Sequence, residues 1–444
     1  MIKKTALTMA LVASLCLLAV APLNPASAAD AKTNPTVTVR LWDNAVASAY
    51  QTSFAQLYKK TGIRVKTEVI PWANYWTQLH TDLASKTASD IFWVNAGNFK
   101  LYDRAGLLTP ITKANFGSQW NNWDASVVKQ YTDHGKLWGV PQLSDPGIGL
   151  YYNKQLLDQA GITVAQVNKL QWNPTATTDS LRSVTQKLTR DSAGHTAADT
   201  SFDASKVASY GFNAAFDLNA IVLNFLGSNG AAWQKGDNFA FDSAKGRQTF
   251  QYLVDLINKR KVSPPALETN PPAGGDLSRD LFIQGKMALF ESGAYNLANV
   301  LQGANFTWGI ARIPAGPAGA ISVTNGIVAA ANKHAKNQAA TQKVLQWLGG
   351  EGAKYIGAKG AALTAVKNAR TPFFNFWKAQ SIDISPMISV LNNGYVQAPS
   401  GANYGAAETA YLPFFESMFA GQLAVNTGIT QAQQAANSAM KGTN

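Results

Sequence analysis

Three short apolar segments, separated by two stretches with helical periodicity, restrict the fold of this chain more than any other feature. The segments "TVTVRLWDN" (36–44), "IRVKTEVI" (63–70) and "DIFWV" (90–94) predict strands. Between them, residues 48–62 and 75–85 space their apolar side chains as amphipathic helices do. Because helix-length connections join parallel strands through right-handed crossovers, this pattern predicts a parallel α/β sheet.

Each predicted strand ends in tryptophan, and two of the three ends add polar side chains. The residues at the three ends are Trp42, Asp43 and Asn44, then Pro71 and Trp72, then Trp93, Val94 and Asn95. Ligands of open parallel sheets bind beyond the carboxyl ends of the strands. Aromatic rings suit the C–H face of a sugar, and Asp and Asn suit its hydroxyl groups. We therefore expect a sugar-binding rim in which Trp93 stacks on the ligand, while Trp72 has a packing role.

The first 28 residues predict a secretory signal peptide. Lys3 lies before an apolar stretch, which leads into the cleavage pattern Ala26-Ser27-Ala28. A membrane anchor is the alternative, but the apolar run is short for that role. Cys16, the single cysteine, is not preceded by the small residue of a lipoprotein signal. We expect it to be removed with the leader, so that the exported protein contains no disulfide.

Size and charge narrow the class of protein further. A chain of 444 residues exceeds what one hydrophobic core usually serves, so two domains are expected. The formal charge of +12 falls to +10 when Lys3 and Lys4 leave with the signal peptide. The basic residues are scattered, with no run of five. This distribution favours a solvated basic surface over a nucleic-acid site.

The sequence contains no common catalytic or metal-binding motif. It lacks a G-x-S-x-G elbow, a P-loop, H-E-x-x-H and C-x-x-C, and its four histidines are far apart. A carboxylate pair for glycoside hydrolysis is an alternative hypothesis. No spacing links any two of its candidates, which are Asp43, Asp90, Asp145 and Glu291.

Several stretches, in this order along the chain, resemble bacterial extracellular solute-binding proteins of ABC sugar importers, the group that includes maltose-binding protein. They are "FAQLYKKTGIRVKTEVIPWANYWTQL", "ASDIFWVNAGNF", "GKLWGVP", "GLYYNKQLLDQAGI", "FIQGKMALFESGAYNL", "WGIARIPAGPAG" and "VTNGIVAAANK". The resemblance implies an α/β fold of two lobes, each a mostly parallel sheet flanked by helices. It places the first lobe at 29–146 and 316–370 and the second at 147–315 and 371–444. Hinge crossings are expected near 145–150, 312–320 and 370.

The resemblance also implies a set of ligand-binding residues in the cleft between the lobes. They are Asp43, Asn44, Trp93, Asn95, Asp145, Phe216, Asn219, Ser292, Gly293, Tyr295, Asn325, Gly326 and Tyr404. Tyr295 stands where many relatives have tryptophan, and Trp233 is expected to pack in the interior.

The function implied is capture of a sugar, in particular an oligosaccharide, and its delivery to the membrane permease of an ABC importer. The protein would be an exported monomer in the periplasm or in the extracellular or cell-envelope space, with no enzymatic activity, cofactor, metal or nucleic-acid partner. Two alternatives stay open. One is a secreted glycan hydrolase. The other is a binding protein for a different solute, such as iron held by tyrosines, or phosphate or sulfate held by helix N-termini and arginine.

Overall fold

The computed structural model describes residues 34–269 and 274–442, and the side chains of 274–276 are left out of the description. The chain from Pro35 onward forms one compact unit. The predicted signal peptide, its cleavage site and Cys16 lie outside the described residues.

Strands and helices alternate along most of the chain. The strands are β1 (Thr36–Leu41), β2 (Arg64–Val69), β3 (Ile91–Val94), β4 (Leu108–Thr109), β5 (Thr132–Asp133), β6 (Lys136–Leu137), β7 (Val140–Ser144), β8 (Ile148–Asn153), β9 (Arg190–Asp191), β10 (Val207–Ser209), β11 (Gln234–Lys235), β12 (Asn238–Phe239), β13 (Leu289–Gly293), β14 (Trp308–Ala311), β15 (Ser322–Thr324), β16 (Gly326–Asn332) and β17 (Tyr395–Gln397). The α-helices are α1 (Asn44–Thr61), α2 (Trp72–Ala84), α3 (Phe99–Arg104), α4 (Lys113–Phe116), α5 (Ala125–Gln130), α6 (Lys154–Gln159), α7 (Val164–Val167), α8 (Ser180–Leu188), α9 (Leu223–Ser228), α10 (Ala244–Asn258), α11 (Ala266–Thr269), α12 (Gly274–Ile283), α13 (Leu297–Gly303), α14 (Gln338–Leu348), α15 (Lys354–Ala358), α16 (Thr371–Ala379), α17 (Ser385–Ser389), α18 (Tyr404–Phe419) and α19 (Val425–Lys441).

The predicted strand–helix–strand–helix–strand segment is confirmed as β1 to β3. Helix α1 begins where the Asp43 carboxylate accepts a hydrogen bond from the backbone N–H of Val46 at 2.8 Å. It ends at Gly62, whose φ of 71° places it in the left-handed region that favours glycine at this position. Strand β1 pairs in parallel with both β2 and β3.

The first lobe is built on a six-stranded sheet. Its order is β2-β1-β3-β16-β4, and β7 also pairs with β16. Strand β16 is antiparallel to β3, β4 and β7, so it runs opposite to the other five strands. Consequently the carboxyl ends of β1, β2, β3 and β7 share one edge of the sheet with the start of β16.

The second lobe contains a three-stranded sheet in the order β13-β8-β14. Both pairings are antiparallel, which differs from the mostly parallel sheet that was expected for this lobe. Strand β8 comes directly from the first lobe and runs away from it, whereas β13 and β14 return towards it. Helices α10, α18 and α19 cover this lobe, and the aromatic rings of Phe250 and Phe415 meet between them with centroids 5.0 Å apart.

The chain passes between the two sheets after β7, at 145–147, and again at Asn325, between β15 and β16. The second passage comes later than the predicted 312–320. The reason is that Ile313, Ala320 and Val323 are buried in the apolar cluster of the second lobe. The chain enters the six-stranded sheet only at Gly326.

Candidate functional site

Five polar residues lie along the edge of the first-lobe sheet where the chain passes to the second lobe, and we call them the first-lobe rim. They are Asp43 and Asn44 after β1, Asn95 after β3, Asp145 after β7 and Asn325 before β16. The strand order places them in one row. The structure therefore brings together the polar residues that the sequence predicted for this lobe.

Asp43 and Asn44 differ in how free their side chains are. Asp43 is half-buried and caps α1 through its Oδ1 atom, and desolvation raises the pKa of its carboxyl group. Asn44 is exposed at the first position of the same helix.

Asp145 and Asn325 tie the two crossings together. The backbone N–H of Asp145 donates to the carbonyl of Asn325 at 2.9 Å. The Asp145 carboxylate accepts from the N–H of Gly147 at 3.1 Å, and burial raises its pKa to about 7. The Asn325 side-chain oxygen accepts from the N–H of Gly326 at 2.8 Å, and the Gly326 carbonyl accepts from the hydroxyl of Tyr131.

Asn95 is half-buried, and its side chain supports the turn before α3. Its Oδ1 atom accepts from the backbone N–H of Asn98 at 3.1 Å and from the Asn98 side-chain amide at 2.9 Å. The side-chain oxygen of Asn95 is therefore already hydrogen-bonded within the first lobe.

The second lobe presents an aromatic ring, which we call the Tyr295 platform. A Cβ atom on Gly293 would lie 2.2 Å from Cε1 of Tyr295, so the ring lies against the glycine backbone. Tyr295 is nevertheless 45% exposed. Ser292 is buried and accepts from the side-chain amide of Asn296 at 2.9 Å. A flat ring that is supported on one face and exposed on the other can stack on a sugar.

Carboxylates from both lobes lie near this ring. Desolvation raises the pKa of the Tyr295 hydroxyl, and the charges of Asp217 and Asp145 raise it further. Asp217 was not among the predicted residues. It caps the π-helical turn 218–222 and follows the predicted Phe216 directly in the sequence.

Asn219 and Glu291 add two buried polar groups behind Asp217. The Oδ1 atom of Asn219 and both carboxylate oxygens of Glu291 are buried without a hydrogen bond in the described structure. Glu291 is fully buried, near Asn224 and Asp217, and desolvation raises its pKa well above the usual value. Burial therefore favours the protonated form of this carboxyl group.

Three of the four aromatic residues predicted to contact ligand, Trp93, Phe216 and Tyr404, are buried, and only Tyr295 is exposed. Trp93 has no exposed surface, and its indole N–H donates to the hydroxyl of Tyr50 at 3.3 Å. All four residues of β3 are buried, so the expectation that Trp93 is not a core residue is wrong. Phe216 is 4% exposed and stacks on Phe415 at a centroid distance of 4.6 Å. Phe216 is a core residue of the second lobe.

The two tryptophans assigned to packing behave differently. Trp233 is 4% exposed and packs against Phe241 at 4.5 Å, in agreement with the prediction. Trp72 is 49% exposed, but its ring meets those of Trp42 and Trp76 edge-on at centroid distances of 5.2 and 5.4 Å, so it packs only in part. It is the first residue of α2, shortly after the edge strand β2.

Tyr404 lies at a contact between the lobes. It is 4% exposed, its hydroxyl lies 3.0 Å from that of Tyr411, and its ring stacks on Phe239. A Cβ atom on Gly97 of the first lobe would lie 2.9 Å from Cδ1 of this ring. Near this contact, Lys100 and Asp237 form an ion pair between the lobes at 3.9 Å.

Other potential sites are few in the part of the chain that the structure describes. No group of three or more His, Cys, Asp or Glu residues there is arranged to hold a metal ion. An open groove of about 410 Å³ lies between α16 and α17, and it includes none of the predicted ligand-binding residues. No helix within 34–269 or 274–442 is both long and apolar enough to cross a membrane.

Comparison with known proteins assigns the family. The chain aligns at 44% identity with Mycobacterium tuberculosis UspC, over 91% of this chain and 100% of that one, with a TM-score of 0.73. The Listeria monocytogenes ABC substrate-binding protein Lmo0181, solved with cycloalternan, shares the fold at 17% identity, with coverages of 92% and 99% and a TM-score of 0.76.

A putative binding protein of Brucella abortus is 24% identical over 296 residues, which are 65% of this chain. That match spans 64% of the Brucella protein, less than two thirds of its length. Residues 43–355 match the family model of bacterial extracellular solute-binding proteins. The chain therefore belongs to the bacterial extracellular solute-binding protein family.

Proposed function

We propose that this protein binds an oligosaccharide in the cleft between its lobes and delivers it to the permease of an ABC importer. It acts outside the cytoplasmic membrane after removal of residues 1–28, as a monomer, without cofactor or metal. We assign 34–146 and 326–370 to the first lobe, and 147–324 and 371–442 to the second, with Asn325 at the crossing between them. The cycloalternan complex of the Listeria relative supports a carbohydrate ligand.

The Tyr295 platform is the observation that carries the proposal. Its ring is backed by Gly293, so little side-chain freedom is lost when a ligand stacks on it. Tyr295 is 45% exposed, and the charges of Asp217 and Asp145 act on its hydroxyl group. A sugar ring offers an apolar face to the aromatic ring and hydroxyl donors to the carboxylates, so this combination suits a sugar better than a simple anion.

The hydrogen bonds and the aromatic stack available in the cleft can supply the free energy of micromolar sugar binding. Micromolar binding needs about 8 kcal/mol. A hydrogen bond to a carboxylate contributes about 1.5–3 kcal/mol, and an aromatic stack about 0.5–1.5 kcal/mol beyond its buried area. Two carboxylates, the rim asparagines and one ring supply this total when closure of the lobes excludes water.

Titration calorimetry with three proteins tests the proposal. Wild type is first screened for melting-temperature increases with glucose, mannose, galactose and N-acetylglucosamine and their oligomers. Tyr295→Ala should weaken binding of the best sugar about tenfold or more, whereas Tyr295→Phe, which keeps the ring, should bind within about threefold of wild type. Equal affinity of all three proteins would contradict a stacking role, and no binding to any sugar would refute the function.

The same protein should show no turnover. Asp145, with a pKa of about 7, resembles a general acid in that one property. We infer that it acts only as a hydrogen-bonding group, because the family consists of binding proteins. Incubation with the bound oligosaccharide should release no new reducing ends. Release that is abolished by Asp145→Asn would favour a hydrolase instead.

A further inference from the structure

A cluster of aromatic rings, partly exposed, extends the first-lobe rim beyond the residues assigned above. The ring of Trp42 lies 5.2 Å from that of Trp72 and 5.5 Å from that of Trp76. Trp72 and Trp76 are 5.4 Å apart at an interplanar angle of 88°. Trp72 is 49% exposed, and Trp42 and Trp76 are half-buried. We call these three residues the Trp72 cluster.

Buried residues of the first-lobe core pack against the Trp72 cluster. Tyr75 is fully buried, its ring lies 4.9 Å from those of Trp42 and Trp76, and its hydroxyl donates to the carbonyl of Trp93 at 2.9 Å. Trp93 in turn contacts Trp42 at 5.1 Å. The exposed ring of Trp72 therefore rests on ordered neighbours, and a ligand that stacks on it has little ordering to impose.

The position of the cluster follows from the strand order. Trp72 comes after β2, the edge strand, and Trp42 comes after β1, directly before Asp43. Asp145 lies at the other end of the row, after β7, four strands away. Four strand spacings correspond to about 19 Å, which is longer than one sugar ring. The Trp72 cluster is thus continuous with the first-lobe rim and marks its far end.

We propose that the Trp72 cluster is an outer subsite that binds an additional sugar ring of the same ligand, so that the protein selects chains over single sugars. This inference rests on the proposed function. Continuity with Asp43 and Asn44 indicates a saccharide, because the rings supply an apolar face and those two side chains supply the polar groups that its hydroxyls need. The neighbouring rim residues are the reason to place a sugar there rather than a protein partner.

Affinity as a function of ligand length tests the subsite. Calorimetry uses the mono-, di-, tri- and tetrasaccharide of the sugar that wild type binds best, with wild type and Trp72→Ala. Wild-type affinity should rise with chain length. Trp72→Ala should lose about tenfold for the longest ligand and leave the affinity for the shortest unchanged. Tyr58→Ala is the matched control, because Tyr58 is 36% exposed near the opposite end of α1, about 21 Å from Asp43.

The other possible results show whether the subsite alone is wrong or the proposed function as well. Wild-type affinity that does not depend on chain length overturns the subsite alone. So does an equal loss for all lengths in Trp72→Ala. Unchanged sugar affinity together with impaired uptake by cells would also overturn it and would indicate a permease contact. A wild type that binds no sugar overturns the proposed function and the subsite with it.

Discussion

Closure of the two lobes is expected to depend on the missing side chain of Gly97. In the structure, a Cβ atom at this position would lie 2.9 Å from Cδ1 and 3.3 Å from Cε1 of Tyr404. Carbon atoms in ordinary contact are about 3.5–4.0 Å apart, so Gly97→Ala requires a displacement of roughly 0.5–1 Å. The Tyr404 ring cannot easily yield, because it is buried, stacked on Phe239 and paired with the hydroxyl of Tyr411.

The free-energy cost of Gly97→Ala should affect only the form of the protein in which the two lobes are in contact. Gly97 does not have a positive φ, so alanine fits the backbone when the lobes are apart. Overpacking of this kind costs about 1–3 kcal/mol. If ligand binds the closed form, the affinity of Gly97→Ala should fall by about 5- to 150-fold. The melting temperature of the unliganded protein should change far less, since the lobes can separate.

Calorimetry and small-angle scattering measure the two effects. Wild type with saturating sugar should become more compact, and Gly97→Ala should compact less at the same saturation. Gly405→Ala is the matched control, because it lies next to Tyr404 on α18 and its added Cβ meets nothing within 4 Å. Wild-type affinity and full compaction in Gly97→Ala would refute the argument, since they would mean that Gly97 and Tyr404 do not meet in the bound state.

Four further predictions concern the burial of Trp93, the raised pKa values of Glu291 and Asp145, and the signal peptide. Trp93→Ala should cost about 3–5 kcal/mol of unfolding free energy in denaturant titrations. Trp72→Ala should cost less, about 1–2 kcal/mol, because Trp72 is half exposed and makes two edge-on aromatic contacts. The reverse order would mean that Trp93 is not a core residue. Because burial raises the pKa of Glu291 in the folded state, wild-type stability should fall as pH rises above the unfolded value, and Glu291→Gln should remove that part of the slope in melts across pH 4–9. Since a carboxylate accepts hydrogen bonds from sugar hydroxyls better when ionised, sugar affinity should rise as pH passes through about 7, the pKa of Asp145, and Asp145→Asn should flatten that rise. Mass spectrometry of the exported protein should give an N-terminus at or near Ala29, without lipid, and a lipid-modified cysteine at the N-terminus would contradict this.

Local sequence pattern was enough to predict the β1–β3 unit and three of the rim residues, Asp43, Asn44 and Asn95, whereas Asp145 and Asn325 came from the family resemblance. Strand ends are marked by a change of composition, and parallel strands bring their ends to one edge. The exposure of the tryptophans was not predictable in this way. All four residues of β3 are buried, so the strand shows no alternation of apolar and polar residues that would indicate which side Trp93 faces. Trp72 is exposed because it begins a helix next to the edge strand β2, and the sequence does not show that β2 lies at the edge.

The errors in the second lobe have a related cause. Phe216 and Asp217 are neighbours in the sequence but differ in their surroundings. Phe216 packs against Phe415 of α18, whereas the charge of Asp217 acts on the hydroxyl of Tyr295. The contact of Tyr404 with Gly97 joins residues about 300 positions apart, and the local sequence around either residue carries no sign of it. The missed features therefore depend on long-range contacts, whereas the confirmed ones depend on segments shorter than twenty residues.

The reversed strand β16 has a consequence for the order in which the chain folds. It pairs Val328 with Val94, and it lies inside the sheet between β3 and β7. During synthesis, β3 can pair with β1 at once, but it lacks its second neighbour until the whole of β4 to β15 has been made. Pairings of such long sequence separation form slowly, because loop closure comes before the contacts that offset its entropy. Strand β16 ends at Asn332, so about three quarters of the 444-residue chain must be made before the first-lobe sheet can be completed.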